Sequence, residues 1–436
     1  MSATIPQGWH ECRLENCVEV LDSLRVPVNN EERQSRIEGK TVEQLYPYYG
    51  ATGKVGVIDD FLFDEELVAL GEDGVPFLDP IKQKAYMLHG KAWVNNHAHV
   101  LRGVDGVAVN KFIFYYLNQF NYQGYVNGGT RLKLTQASMR TIPIALPPLA
   151  EQVRIAAKLE ELLAHVDTLK ARIDGIPALL KRFRQSVLDS AVSGRLTEDW
   201  RGKDADFNLT TIGKVCAVST GKTPKRGQAE YWEDGDIPWI TSALTGTKFC
   251  SEPEQFVTNL ALKECTLKLY QPGTLLMAMY GEGKTRGQVT ELKIEATCNQ
   301  ACAAISVNET LVKKDFVKIR LQENYENVRK QAVGGAQPNL NLEKVREITI
   351  CLPSMEEQTE IVRRVEQLFT LADQLETKVA LAKSRINYLT QSILAKAFRG
   401  ELVTQDPSDE PANVLLERTQ AQRANAPRAK RGRKSK

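Results

Sequence analysis

The stretch Ile142-Pro-Ile-Ala-Leu-Pro-Pro-Leu-Ala-Glu-Gln152 returns 206 residues later as Ile348-Thr-Ile-Cys-Leu-Pro-Ser-Met-Glu-Glu-Gln358. The same offset, with no gap, aligns Gly128-Gly129 with Gly334-Gly335, Leu134 with Leu340, Arg140 with Arg346, Ile155 with Ile361, Asp167 with Asp373, Gln185-Ser186 with Gln391-Ser392 and Gly194 with Gly400. Register held from Gly128 to Gly194 marks an internal duplication, and a duplication decides architecture before any local propensity does. Upstream the two halves diverge but keep an order of features: a Pro-aromatic pair (Pro47-Tyr48, Pro238-Trp239), an Asn-x-Ala triplet (Asn96-His-Ala98, Asn299-Gln-Ala301) and a Phe-led apolar segment (Phe112, Phe316). The chain therefore reads as variable unit, constant unit, variable unit, constant unit, tail.

Each constant unit predicts one long helix. In the second, Ile361, Val365, Leu368, Ala372, Leu375, Val379, Ala382, Ile386, Leu389 and Ile393 alternate spacings of four and three, and neither Gly nor Pro falls between Glu356 and Phe398. That is a heptad seam. The first has Ile155, Leu159, Leu162, Val166, Leu169, Ile173, Ile176, Leu180, Phe183 and Val187, but Asp174-Gly-Ile-Pro177 interrupts it with a proline expected to kink or break the helix. A seam needs a partner, and its own repeat is the nearest one. Antiparallel pairing within the chain is expected, with packing of each helix on its own globular unit, or homodimerisation, as the alternatives. Leu-Pro-Pro at 146–148 and Leu-Pro-Ser at 352–354 set the strand-to-helix junctions.

The variable units alternate short β-prone runs (Val55-Gly-Val-Ile58, Thr274-Leu-Leu-Met-Ala-Met279, Ala303-Ala-Ile-Ser-Val307) with turns rich in Gly, Asn, Asp and Lys, as loop-rich α/β domains do. The resulting expectation is an α+β chain with pseudo-twofold character. Its domains are 1–145, a helical region 146–203, a second globular domain 204–351, a second helical region 352–403 and a basic disordered tail 404–436.

Composition narrows the class. With 436 residues, 42% hydrophobic and 25% charged, the chain can bury real cores. No run of about 18 apolar residues occurs, so a membrane span is not expected and the protein reads as soluble and cytoplasmic. Eight cysteines without a C-x-x-C pair argue for buried reduced thiols over a zinc ribbon. The net charge is +3, but Arg423 to Lys436 holds seven basic residues and no acid; subtracting those seven leaves −4 on the other 422 residues. Such an arm is expected to be disordered and able to meet phosphates without reading sequence.

Three Gly-Lys pairs, Gly53-Lys54, Gly221-Lys222-Thr223 and Gly283-Lys284-Thr285, lack the upstream glycine of a phosphate loop; Tyr48, Cys216 and Ala278 stand there. They are better taken as basic loops. The candidates for nucleic-acid contact are Arg131 and Lys133 in the first variable unit, and Lys222, Thr223, Lys225, Arg226, Lys284 and Arg286 in the second. His97-Ala-His99 has no acidic or thiol partner close in sequence and reads as core or surface rather than as a metal pair. No Gly-x-Ser-x-Gly elbow, no catalytic-cysteine context and no Asn- or Asp-Pro-Pro-Tyr tetrapeptide occurs, which favours a binding or scaffolding protein over an enzyme.

With this order of units, the Leu-Pro-Pro-Leu-Ala-Glu-Gln152 and Leu-Pro-Ser-Met-Glu-Glu-Gln358 starts and the long heptad helices, the chain resembles the DNA specificity subunits of Type I restriction-modification enzymes. Ile176-Pro-Ala-Leu-Leu-Lys-Arg-Phe-Arg-Gln-Ser-Val-Leu188 and Gly194-Arg-Leu-Thr-Glu-Asp-Trp200 look most like the enteric group. The likeness covers residues 8 to about 403. It departs at the basic tail and at Leu132-Lys133, where the second copy has Pro338-Asn339. The resemblance implies a non-catalytic subunit with two target recognition domains, each reading half of a split site in double-stranded DNA. Two methyltransferase subunits and up to two motor nuclease subunits would be its partners. S-adenosylmethionine, ATP and Mg2+ would sit on those partners and no cofactor on this chain. The competing readings are a stand-alone coiled-coil scaffold or regulatory DNA-binding protein, and a nucleotide-driven nuclease built on the Gly-Lys loops.

Overall fold

The computed structural model describes residues 5–201, 207–281, 285–328 and 340–425. The helices that organise it are α1 (Asn110–Gln119), α2 (Leu149–Val192), α3 (Lys314–Glu323), α4 (Met355–Phe398) and α5 (Ala412–Asn425). The chain divides into two compact units, Met1–Asp174 with Leu381–Lys436, and Gly175–Ala380. Each long helix has 44 residues, about 66 Å at 1.5 Å per residue, and contributes to both units.

The long helices pair antiparallel, and each unit shows it within itself. In the first, Ile155 and Leu159 of α2 share a core with Leu394 and Ala397 of α4, while Asp174 further along α2 meets Lys383, earlier in α4, at 2.7 Å. In the second, Val187 and Leu188 share a core with Ile361 and Val365, and Arg184 bridges Asp373 and Glu376. The same apolar side chains also face the globular parts: Ile155 and Leu159 join Phe112 and Leu146 in one cluster, Ile361 and Val365 join Phe316 and Ile350 in the other. One stripe thus serves partner helix and head together, so the two packings posed as alternatives coexist.

Three expectations about these segments are corrected. First, Pro177 does not break α2, which runs on through it. Proline removes one helical N–H, yet Ile173 and Ile176 are half-buried and Leu180 is buried, so apolar packing on both sides holds the turn. Second, not every seam position is covered. Ile155, Leu159, Val166, Ile361, Val365 and Ile386 are buried and Leu162, Phe183 and Leu368 half-buried, but Leu169, Leu375 and Leu389 are 47%, 39% and 47% exposed. A seven-residue seam drifts by about 20° per heptad round a straight helix, and the heads capture the outer turns. Third, the segment expected as disordered from 404 contains α5. Ala412, Leu415 and Leu416 are buried, Ala412 N donates to the Gly8 carbonyl at 2.9 Å, and Asp409 pairs with Arg154 at 2.6 Å. Spacing of three and four puts those apolar residues on one helix face in an otherwise polar stretch. The basic residues Arg428 to Lys436 lie outside the described residues.

In the first unit a four-stranded antiparallel sheet has the spatial order Val18–Val20, Ala98–Gly103, Leu67–Gly71, Ala85–Leu88, with α1 packed on it. A second sheet orders Gly53–Ile58, Tyr46–Gly50, Lys91–Val94 and Phe63–Asp64, with one parallel pairing, Tyr48 beside Trp93. The second unit repeats the plan with Cys216–Thr220, Cys302–Val307, Leu275–Ala278, Val289–Leu292 and Phe249–Cys250, and a smaller sheet of Gln255–Val257, Ile237–Ile240 and Thr297–Cys298. The strand before each long helix is held by the head's first strand: His10–Arg13 pairs Pro143–Leu146, and Asn208–Thr211 pairs Thr349–Leu352.

Candidate nucleic-acid interface

The signature glutamines explain why the repeat is spelled as it is. Gln152 is fully buried; its Nε2 donates to the carbonyls of Pro147 (2.9 Å) and Val107 (2.8 Å), and its Oε1 accepts from Val109 N (3.0 Å), the residue before α1. Gln358 makes two of the three matching bonds in its own unit, donating to Pro353 O (3.0 Å) and accepting from Lys313 N (2.8 Å), the residue before α3. One amide thus ties the strand-to-helix junction to the head's helix and satisfies buried backbone groups that would each cost about 1–3 kcal/mol unpaired. The Pro-aromatic pairs do a similar job: Tyr48 Oη donates to Val28 O (2.9 Å) and Trp239 Nε1 to Lys222 O (3.0 Å), each anchoring the loop that follows the head's second strand.

The Asn-x-Ala alignment is one residue out. Asn95 N donates to Tyr49 O just as Asn299 N donates to Ile240 O, and Glu72 N takes His97 O as Met279 N takes Ala301 O. The true match is Asn95-Asn96-His97 with Asn299-Gln300-Ala301, obscured because two adjacent asparagines offer two registers.

In the first unit Arg131 and Lys133 stand on a loop pinned to the backbone after Leu67–Gly71: Gly74 N donates to Leu132 O (3.1 Å) and Leu134 N to Glu72 O (2.8 Å). Both cations are exposed and both rest on carboxylates, Arg131 Nη2 on Asp73 at 2.8 Å and Lys133 Nζ on Glu72 at 3.2 Å. His97 Nδ1 lies 3.1 Å from the same Asp73 oxygen. Burial alone would raise the Asp73 carboxyl; hydrogen bonds from His97 and Arg131 outweigh it and hold the group below its ordinary value. Beneath them His99, 1% exposed, meets Asp22 at 2.6 Å through Nδ1 and the Leu134 carbonyl at 3.0 Å through Nε2. Asp22 also accepts from Val100 N and Gln136, and Arg25 links Asp22 to Glu72. Burial would raise Asp22 too, and the His99 hydrogen bond and charge, Val100 N and Arg25 bring it below its ordinary value. His97 and His99 are therefore supports of this loop, half-exposed and buried respectively.

In the second unit Lys222, Thr223, Lys225 and Arg226 fall on one exposed loop. A Cβ on Gly221 would sit 1.6 Å from the Cys298 carbonyl oxygen, so only glycine lets the loop press against the 298–302 turn. Thr223 bonds Gln300, Lys222 Nζ reaches Thr266 Oγ1 (3.0 Å), and the Arg226 guanidinium lies over Trp232 and Trp239 at 4.0 and 4.8 Å. Lys284 lies outside the described residues. Arg286 is half-buried, and its Nε has no hydrogen-bond partner among the described residues. Sequence reading passed over a further charged cluster, Glu291 with Lys293 (2.7 Å), Lys314 (2.9 Å) and Lys318 (3.4 Å), lining a cleft of about 780 Å³ beside α4. Burial opposes its ionisation, and the Lys293 and Lys314 bonds overcome this and draw Glu291 down to about 2. Nothing local in sequence joins residues 291 and 314.

Among the described residues no group of three or more His, Cys, Asp or Glu is placed to hold a metal ion, and no helix is long and apolar enough to cross a membrane. All eight cysteines are free, five buried and Cys12, Cys265 and Cys351 half-buried.

The family model described as "Type I restriction modification DNA specificity domain" matches residues 6–178 and again 205–381, once per repeat. This chain is a Type I restriction-modification specificity (HsdS) subunit. The Type I restriction enzyme EcoBI specificity subunit of Escherichia coli is 34% identical over 363 residues, 74% of each chain, and the EcoDI specificity subunit of the same species 30% identical over 417, covering 89% of this chain and 91% of that one. Among solved structures, the HsdS subunit from Thermoanaerobacter tengcongensis superposes with a TM-score of 0.60 at 18% identity, covering 92% of this chain and 99% of its own. A chain from a structure addressing complex assembly and conformational transition of the type I R-M system gives 0.69 at 18%, covering 92% and 100%. The specificity subunit is the non-catalytic, DNA-recognising part of its complex.

Proposed function

We propose that this specificity subunit reads a two-part asymmetric DNA site, residues 1–145 taking one half and 204–351 the other, while the helical regions 146–203 and 352–403 set the spacer. The observation that carries the reading is that two heads share one internal scaffold, the Gln152 and Gln358 clamps, and display different loops: Arg131 and Lys133 on carboxylates in one, Lys222, Lys225 and Arg226 beside indoles in the other. Identical frames with unlike reading surfaces suit unlike half-sites, since direct readout depends on side chains matched to base edges. Two methyltransferase subunits dock on the helical regions. Leu169 and Leu375 occupy the same position of the repeat and each is exposed within its own unit, as two equivalent docking sites require. Up to two motor nuclease subunits join through them, and S-adenosylmethionine, ATP and Mg2+ are bound by those partners. The assembly works on chromosomal DNA in the cytoplasm.

The test is to sequence the methylated genome of the host with this gene intact and deleted. The expected result is one bipartite adenine-methylated motif that disappears with the gene. A methylome unchanged by the deletion would contradict the proposal and favour a stand-alone scaffold.

A further inference from the structure

Arg131 is the one cation of the first head's loop whose planar group is built into its surroundings while remaining open to solvent. Its side chain is 65% exposed, yet Nη2 is held by Asp73 at 2.8 Å and Asp73 by His97 at 3.1 Å. The guanidinium lies along the backbone of Gly74, where a Cβ would stand 3.2 Å from Nε, 3.5 Å from Nη2 and 3.7 Å from Cζ, and where φ is +67°. Gly128, with φ of +117°, lets the loop close: a Cβ there would come within 2.3 Å of the Arg131 carbonyl oxygen. Gly74 leaves room for this guanidinium, a supported carboxylate holds it and Gly128 fixes the backbone that carries it, whereas a phosphate contact, which asks only for charge, needs no such frame.

We infer that Arg131 reads a guanine in the half-site of the first head, donating two parallel hydrogen bonds to O6 and N7 in the major groove, with Asp73 as the residue that positions it. The planar fork of arginine matches that pair of acceptors in a fixed geometry, whereas a lysine ammonium can reach O6 and N7 but does not fix the angle of approach. Immobilisation by Asp73 before binding lowers the ordering cost of a long side chain on docking and keeps the fork from turning to a phosphate. Lys133, a point charge on Glu72, is assigned to the backbone. This rests on the proposed half-site reading.

The test uses the assembled methyltransferase and duplexes carrying its methylated motif, with 7-deazaguanine replacing each guanine of the first half-site in turn, which deletes N7 alone. With the wild-type complex one position is expected to lower the methylation rate on the order of 10- to 100-fold. In the Arg131→Ala complex that position should become insensitive and in Arg131→Lys the penalty should shrink, while discrimination in the second half-site stays at wild type and shows the subunit folded. Asp73→Asn should reduce the deaza penalty at the same position without changing the salt dependence of binding. A first half-site lacking guanine, or a deaza penalty undiminished in Arg131→Ala, overturns the assignment. A complex that methylates no bipartite site at all instead overturns the half-site reading beneath it.

Discussion

Glu291 shows what a buried charge does when it is outnumbered. Only 3% of its side chain is exposed, and three ammonium groups converge on it from Lys293, Lys314 and Lys318. Burial pushes Lys318 below its ordinary value, while Lys314 is raised despite its own burial by the Glu291 bond and nearby acids. The carboxyl itself falls from 4.5 to about 2, so its contribution to stability is present above about 4.5 and is lost as pH falls towards 2. Glu291→Gln should therefore lower stability at pH 7 by roughly 1–3 kcal/mol, partly by leaving the buried Lys318 without a counter-charge. The gap between wild type and variant in urea midpoints should close as pH is lowered from 5 through about 4 towards 3. A gap constant across that range would show that the lysines do not hold the carboxylate ionised.

At the level of elements, the long helices were legible because a seam repeated at a fixed offset leaves little freedom: Ile155, Leu159, Ile361 and Val365 declare both the helix and its buried face. The strand-to-helix junctions were legible through Leu-Pro-Pro and Leu-Pro-Ser. What stayed hidden depends on pairings between distant residues. Asp73 supports Arg131 from 58 positions away and His99 meets Asp22 from 77, distances at which no periodicity speaks. The α5 face was masked by the charge of the stretch that follows it, and the continuity of α2 by a proline rule that tertiary packing overrides. The helices also carry a prediction. Inserting seven residues after Ile173 in α2 and seven after Val379 in α4 keeps both seams and lengthens each helix by about 10 Å, about three base pairs at 3.4 Å each. The methylated motif should gain about three unspecified bases between unchanged half-sites. Full activity on the original spacer would show that the helices do not measure it.

For the molecule as a whole, the distribution of charge matters more than its sum. Apart from the fourteen residues from Arg423 onwards the chain carries −4, so the Arg423–Lys436 arm reverses the sign of the long-range field. Arg423 lies near the end of α5, which is firmly seated, since Ala412 and Leu416 share the first unit's core with Trp9 and Arg154 grips Asp409. The basic residues beyond α5 are expected to meet phosphates of any sequence, leaving the supported loops of the heads to discriminate. Deleting 426–436 removes six basic residues and spares α5. Affinity of the methyltransferase complex should fall by the same factor for its own site and for random duplex. The slope of log affinity against log salt should flatten by about 0.9 for each phosphate that the arm no longer neutralises, with the methylated motif unchanged. Titrations of both DNAs at several salt concentrations give affinity, specificity ratio and slope from one set of measurements. A truncation that altered the specificity ratio would assign the arm a reading role, and one that left the slope untouched would remove it from the DNA altogether.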